Sequence, residues 1–298
     1  MSFSTRLRSE DRSHPSERRC GPGPAHRRAA VRPRLEMLEG RRVLSTLTVT
    51  SSYDGGGITA GDGTLRGEIE AAYPTGGDTI VFAPSLDGQT ITLHGPPLEI
   101  LANLTIQGPG AGLLAISGNN ASRVFEVNAF VNATISGLTI EKGNGAHGDF
   151  SYYPNFGGGI LNFGTTTLIS CTVTGNVSGY FWIGNNAYPT GEGGGISNFG
   201  TMTLSGCTVT GNVSATLRKG NSIAVSGEGG GVYNAGTMTL SGCTVTGNTS
   251  LSGGGISNSA QGHLTIVSSV VTSNTTDDIF NVGWISISKD SKVGKIRT

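Results

Sequence analysis

Charged residues are scarce in this chain of 298 residues: Asp, Glu, Lys and Arg make up 13% of it. The basic ones concentrate at residues 1–45, which carry 11 Arg against five acids, although the whole chain has no net charge. That segment is rich in Pro and Arg and has no apolar period, so we predict that residues 1–45 form a disordered basic segment. It could serve as a nucleic-acid arm. No basic, aromatic-interleaved fold follows it, however, and we expect no nucleic-acid partner.

Long hydrophobic runs are also missing. No stretch of 18 apolar residues occurs, so the sequence predicts no transmembrane segment. The basic N-terminus is not followed by the continuous apolar core of an ordinary signal peptide.

Cysteine is rare and evenly spaced. Apart from Cys20, the chain holds only Cys171, Cys207 and Cys243, which are 36 residues apart. A disulfide framework or a zinc site would need paired or clustered spacing. The five histidines are scattered too, so we expect no metal and no cofactor. The three regularly spaced cysteines are better explained as buried thiols stacked in register.

Glycine, in contrast, is abundant, with 49 residues, and many of these lie in a repeated sequence segment. Residues 157–176 read GGGILNFGTTTLISCTVTGN, and 193–212 and 229–248 repeat it almost unchanged. A looser fourth copy covers 253–274. Such self-similarity indicates a solenoid, in which each unit buries its apolar face against its neighbours.

Apolar residues alternate within each copy, as Met202 and Leu204 do before a Ser-Gly step and Cys207 and Val209 do after it. Alternation predicts short strands with one buried face. Two or three such strands per 24-residue coil give an all-β fold, a parallel β-helix. The 36-residue spacings then contain a 12-residue insertion at the same place in successive coils.

Asparagine recurs at two positions of the repeat. Because Asn tolerates left-handed backbone and bonds nearby main chain, we place both series at coil corners and expect stacked amides to bond from coil to coil. Some of these residues form Asn-x-Ser/Thr sequons, so glycosylation is the alternative. The first series is Asn162, Asn198, Asn234, Asn258 and Asn281, and the second is Asn176, Asn212, Asn248 and Asn274.

The ends of the β-helix are expected at about residues 46 and 288. TLRGEIEAA (64–72) predicts a short N-terminal capping helix with Thr64 as N-cap. Eight or nine coils should span about 78–288, with Leu104, Leu138 and Cys171 at equivalent positions. Residues 289–298 predict a basic C-terminal tail, whose charges either blunt the open edge or mark a chain truncated relative to its relatives.

No catalytic site is evident. Glu192 and Glu228 occur in equivalent Gly-Glu-Gly segments and should stack as like charges without a basic partner. Asp277 and Asp278 form the one adjacent acidic pair of the repeat region, but alignment places them in a turn. A catalytic pair or a calcium site there is the alternative to a structural role, although the calcium-binding nonapeptide is absent.

The insertions at 144–156, 177–192 and 213–228 should project from one corner of successive coils as a ridge. Insertions on one face of a solenoid often form its binding face, and aromatic rings with polar tips suit carbohydrate or protein contacts. Alternatively, the rings pack on each other or on the coil. The candidate ligand-binding residues are Tyr152, Tyr153, Tyr180, Phe181, Trp182, Tyr188, Arg218 and Lys219.

The GGGI-x-N repeats resemble those of right-handed parallel β-helix proteins of bacterial surfaces, which have polymorphic-outer-membrane-protein-like repeats and a pectin-lyase-like fold. Residues 34–45, RLEMLEGRRVLS, are similar to a short motif near the N-terminus of planctomycete exported proteins, with Val43 replacing a Leu. The resemblance implies an exported protein of the cell surface. Because the sequence shows no cluster of carboxylates on one coil face, we expect a non-enzymatic role in structure or adhesion, with a polysaccharide or a surface protein as partner. A polysaccharide lyase or glycoside hydrolase of this fold is the alternative.

Overall fold

The computed structural model describes residues 44–57, 59–73, 76–145, 155–179, 181–183, 186–188, 191–214, 216–219, 222–225 and 227–298. In 181–183, 186–188, 216–219 and 222–225 only the backbone is described. The predicted basic segment lies almost wholly outside this part of the chain.

Three all-parallel sheets wind around one apolar core, so the chain is a parallel β-helix, as predicted. Each coil contributes a strand to the first, then the second, then the third sheet. The first sheet contains β1 (Thr46–Val49), β2 (Asp78–Phe82), β5 (Leu104–Gln107), β8 (Asn132–Ser136), β11 (Thr165–Ile169), β17 (Thr201–Ser205), β23 (Thr237–Ser241), β26 (His263–Val267) and β29 (Trp284–Ile287).

The other two sheets have eight strands each. The second contains β3 (Gln89–Thr92), β6 (Leu114–Ser117), β9 (Thr139–Glu141), β12 (Thr172–Thr174), β18 (Thr208–Thr210), β24 (Thr244–Thr246), β27 (Val270–Val271) and β30 (Lys292–Val293). The third contains β4 (Leu98–Ile100), β7 (Phe125–Val127), β10 (Ile160–Asn162), β16 (Ile196–Asn198), β22 (Val232–Asn234), β25 (Ile256–Asn258), β28 (Ile279–Asn281) and β31 (Ile296–Arg297).

Alternation along each strand sorts side chains between core and surface. In β17, for example, Met202 and Leu204 are buried and Thr201 is exposed. Burying one such apolar side chain stabilises the fold by about 1.5–3 kcal/mol. Leu168, Leu204 and Leu240 pair directly from coil to coil, so the core is a set of stacked apolar columns.

The corner between the first and second sheets needs left-handed backbone. Gly206 and Gly242 adopt φ values of 61° and 63° there. Ser170 and Ser268 take the same conformation at φ 49° and 46° in flanking coils. Glycine adopts this conformation without steric cost, which explains the Ser-Gly step of the repeat.

The predicted capping helix is present as α1, Leu65–Ala72. The Thr64 hydroxyl accepts a hydrogen bond from the Gly67 amide at 3.0 Å, and Leu65 and Ile69 are buried. A Cβ at Gly67 would lie 2.2 Å from the Asp62 Oδ1 atom, so the glycine is required by close packing. The chain has one further helical element, the 3-10 turn Pro84–Leu86, among the described residues.

The first sheet begins at Thr46, before α1, and pairs there with β2. The coils differ from the expectation at two points. The position equivalent to Leu138 and Cys171 is occupied by Leu114, not Leu104, because Ala115 pairs with Thr139 whereas Leu104 pairs with Ala133. Residues 289–298, expected as a tail, contribute β30 and β31 to a last coil.

Candidate binding site

The insertions leave the β-helix at one corner and return to it at stacked positions. Val177 and Val213 pair at the start of β13 (Val177–Ser178) and β19 (Val213–Ser214), just before the chain departs. Glu192 and Glu228 form a parallel bridge where it returns. The fourth repeat lacks the insertion, yet its Ser252 occupies the next return position. The coil is therefore closed beneath the insertions.

Two of the insertions form antiparallel hairpins. The first pairs β14 (Phe181–Ile183) with β15 (Asn186–Tyr188), and the second pairs β20 (Thr216–Lys219) with β21 (Ser222–Val225). Sequence alternation in the repeat gave no sign of these strands, because a hairpin that leaves the coil does not share its register.

The backbone of the hairpins fixes the place of five candidate ligand-binding residues. Phe181 pairs with Tyr188, with Trp182 next to Phe181 on the same strand. Arg218 and Lys219 lie on β20 of the second hairpin. The side chains of these five, and Tyr152, Tyr153 and Tyr180 altogether, lie outside the described residues.

Two glutamates and a tyrosine lie at the base of the hairpins. The Tyr233 hydroxyl hydrogen-bonds to the carboxylate of Glu192, and the Ser257 hydroxyl donates to Glu228 Oε2 at 2.9 Å. Both glutamates are half-buried. The expectation that they stack in neighbouring coils agrees with their bridge, but hydroxyl groups had not been foreseen as their partners.

Burial changes the pKa values of Glu192 and Tyr233. It raises the pKa of Glu192 to about 7; the Tyr233 hydrogen bond opposes the rise and the nearby Glu228 charge adds to it. Burial, followed by the charge of Glu192, raises the pKa of Tyr233 as well. Near neutral pH the Glu192 carboxyl can therefore gain or release a proton.

Further polar and aromatic groups surround this base. The side chain of Asn155, just before the first return position, is buried, and neither its oxygen nor its nitrogen has a hydrogen-bond partner in the described structure. The Phe199 ring lies 5.2 Å from that of Phe156, 5.5 Å from Phe163 and 5.9 Å from Tyr233, measured between centroids. Phe156, the insertion residue among these rings, thus packs against the coil.

The first asparagine series forms a continuous chain of amides. Each Nδ2 donates to the Oδ1 of the next coil over 2.7–2.8 Å, from Asn162 through Asn198, Asn234 and Asn258 to Asn281. All but the last are fully buried. A buried amide needs such partners, since an unpaired one costs about 1–3 kcal/mol. We therefore assign these residues a structural role.

The second asparagine series runs in the same direction and ends on a carboxylate. Asn176, Asn212 and Asn248 each donate to the next amide, and Asn274 donates to Asp278 Oδ1 at 3.0 Å. The other oxygen of Asp278 accepts from the Lys295 amide at 2.8 Å. Asp278 therefore terminates the series as its last acceptor.

Asp277 is engaged with two cations. Its buried carboxylate lies 2.9 Å from Lys295 Nζ and 2.7 Å from Arg297 Nε. Burial alone would raise the pKa of Asp277, but hydrogen bonds from Lys295 and Arg297 hold it below its usual range. Within the described residues no group of three or more His, Cys, Asp or Glu could hold a metal ion.

The three regularly spaced cysteines lie in one buried file as free thiols. Cys171, Cys207 and Cys243 occupy equivalent places in successive coils, and the Cys243 thiol contacts the Leu204 carbonyl oxygen at 3.3 Å. The hydrogen bond with Cys171 raises the pKa of Cys207 to about 11, and the bond with Cys207 raises that of Cys243. The hydrogen bond with Cys207 lowers the pKa of the Cys171 thiol.

Comparison with known proteins adds little. No protein-family model and no curated protein matches the chain. A solved chain described as Geobacillus virus E2 ORF18 is 11% identical, with a TM-score of 0.33; the match covers 78% of this chain and 50% of that one. In the described part of the chain, no helix has the length and apolarity that crossing a bilayer requires.

Proposed function

We propose that this protein is a non-enzymatic β-helix protein that binds a glycan or a surface protein through an insertion ridge, defined as residues 144–156, 177–192 and 213–228. The observation that carries the proposal is the stacked departure of the insertions at Val177 and Val213 and their stacked return at Glu192 and Glu228. Because parallel coils repeat about every 4.8 Å, neighbouring insertions can contact one extended ligand.

We also propose that the protein is exported and serves at the cell surface in structure or adhesion. Two sequence features support this: the GGGI-x-N repeats, which resemble polymorphic-outer-membrane-protein-like repeats of a pectin-lyase-like fold, and residues 34–45, which resemble a planctomycete export motif. Fractionation of cells that produce the full chain tests it. Recovery of the protein only from the cytoplasm would contradict the proposal.

The test of the ridge is the substitution Trp182→Ala, assayed for binding on a panel of soluble polysaccharides and surface extracts. We expect weakened binding and a nearly unchanged melting temperature, since the coil is closed without the hairpin. Trp284→Ala is the matched control: Trp284 is 54% exposed on the first sheet, outside the ridge, and its loss should leave binding intact. Equal loss of binding in both variants, or unfolding of the Trp182 variant, would refute the ridge as a binding site.

The glutamate pair favours one enzymatic alternative, a glycoside hydrolase or polysaccharide lyase. Hydrolysis of a glycoside uses one protonated and one ionised carboxyl group. Glu192, with its pKa of about 7, suits the acid, and Glu228 of the next coil, which accepts a hydrogen bond from Ser257, supplies the second carboxyl group. Release of reducing ends or unsaturated products by the wild type, abolished in Glu192→Gln and Glu228→Gln, would establish this activity; binding without release supports the non-enzymatic proposal.

A further inference from the structure

The outer face of the first sheet carries an unbroken column of hydroxyl side chains. The strands pair residue for residue, so one outward position repeats without a slip through all nine strands. Its occupants are Thr46, Thr79, Thr105, Thr134, Thr167, Thr203, Thr239, Thr265 and Ser286. None of them is buried. Within the described structure none of these hydroxyls hydrogen-bonds to another protein group, so all can meet solvent.

A second column runs beside the first, two residues earlier along each strand. Thr165, Thr201 and Thr237 are paired in register and exposed. Three successive coils therefore present Thr-x-Thr, with both threonines facing outward. The result is a two-dimensional array, in which each threonine carries a hydroxyl and a methyl group.

This face is also free of charge. No Asp, Glu, Lys or Arg stands at an outward position of the nine first-sheet strands, where the remaining occupants are Ser, Val, Ile, Asn, Gln, His and Trp. The other two sheets differ. The second has Glu141 and Lys292 at outward positions, and the third has Glu126 and Arg297.

The array has two fixed spacings. Neighbouring strands are about 4.8 Å apart, and outward residues of one strand are roughly 6.6 Å apart, twice the rise per residue. The oxygen atoms on the prism face of hexagonal ice repeat along two perpendicular directions with a similar pair of distances. The columns are held rigid by the apolar stacks behind them and by the asparagine chains, so little ordering entropy opposes binding to a lattice.

We propose that the first-sheet face binds ice. Its hydroxyls can join the hydrogen-bond lattice at the crystal surface while the methyl groups sit between water molecules, and no charged group keeps a competing hydration shell. A ligand that matches this face must be neutral and periodic in two directions. Ice meets both conditions, whereas a single polysaccharide chain is periodic in only one.

The test is the freezing behaviour of the full chain, measured as thermal hysteresis and as inhibition of ice recrystallisation. We expect the wild type to lower the freezing point below the melting point and to facet ice crystals. Thr203→Lys places a charge at the centre of the array and should reduce both effects to the level of serum albumin. Thr208→Lys, on an outward Thr-x-Thr position of the second sheet, is the matched control and should retain them.

Melting curves establish that both variants fold. If the Thr203→Lys variant does not fold, Thr239→Val takes its place. This substitution keeps the shape of the side chain and a methyl group and removes only the hydroxyl, so we expect it to weaken thermal hysteresis severalfold. Wild-type behaviour equal to that of albumin would overturn the proposal. So would loss of activity in Thr208→Lys alone, or sedimentation with microcrystalline cellulose in the absence of any effect on ice.

Discussion

Single residues at the base of the ridge decide how stability responds to pH. Glu192 is held half-buried between the Glu228 carboxylate and the Tyr233 hydroxyl, and its pKa of about 7 lies above the ordinary glutamate value of 4.5. As pH rises, the unfolded chain releases this proton first. The stability that the protonated carboxyl contributes is therefore complete below about pH 4.5 and is lost as pH passes through about 7.

The substitution Glu192→Gln removes this titration. Between pH 5 and pH 8 we expect the free energy of unfolding of the wild type to fall by roughly 1 kcal/mol more than that of the variant, a value reduced for screening of a partly exposed group. Urea unfolding at several pH values measures it. Glu228→Gln is the control, because removal of the neighbouring charge should shift the Glu192 transition to lower pH. Parallel pH profiles for wild type and Glu192→Gln would contradict the assignment.

At the scale of elements, the two asparagine series add side-chain hydrogen bonds between neighbouring coils, and the first series does so along strands that already pair in the third sheet. Their members differ in the hydrogen bonds that they make and in their exposure to solvent. Asn212 is fully buried; its Oδ1 accepts from both the backbone and the side-chain nitrogen of Asn176, and its Nδ2 donates to the Val173 carbonyl. Asn281 lies at the end of the first series, is 8% exposed, and accepts only from Asn258 among the amides.

Replacement of each by alanine should reveal this difference. Asn212→Ala removes the acceptor of the buried Asn176 amide and one of the two acceptors of the Asn176 Nδ2, and it leaves a cavity, so we expect a loss of about 3–5 kcal/mol. Asn281→Ala should cost about 1–2 kcal/mol, since water reaches the end of the series. Chemical denaturation of both variants measures the two losses. Equal losses would show that the amides act separately and that position in the series has no effect.

The sequence predicted these elements well where the repeat is regular and poorly where it is not. The spacing of Asn162, Asn198 and Asn234 predicted the coil, the insertion and the corner positions, because near-identical copies can be aligned by eye. The early coils share no such copies, so Leu104 was placed where Leu114 stands. The threonine column was missed for the same reason: Thr167 and Thr203 are 36 residues apart, but Thr265 and Ser286 only 21.

The candidate site was predictable only in part. Equivalent Gly-Glu-Gly segments showed that Glu192 and Glu228 would stack. Their hydroxyl partners come from the third sheet, 41 residues further on in the case of Tyr233 and Glu192, and no local pattern links them. Asp277 illustrates the same point, because its cations Lys295 and Arg297 belong to a last coil that the sequence did not predict.

For the molecule as a whole, a β-helix has one continuous core whose ends must be closed. At the N-terminal end α1 covers the core, and β1 pairs with β2 beside it. The Ser45 amide donates to Asp78 Oδ1 at 2.6 Å, and the Ser45 carbonyl accepts from the Thr79 amide at 2.9 Å. The first coil therefore begins at Ser45, and the prediction that the preceding segment adds nothing to the fold can be tested at that residue.

Two deletions differ by only a few residues but should differ greatly in effect. Deletion of 1–43 keeps both Ser45 hydrogen bonds and all of β1, so we expect a change in stability within about 0.5 kcal/mol. Deletion of 1–49 removes the buried Val49 and uncovers Ile80, both fully buried in the intact chain, and should cost several kcal/mol at about 1.5–3 kcal/mol per side chain. Thermal unfolding of the two proteins beside the full chain measures both effects. If deletion of 1–43 alone lowers the melting temperature as far as deletion of 1–49, the basic segment is part of the folded unit.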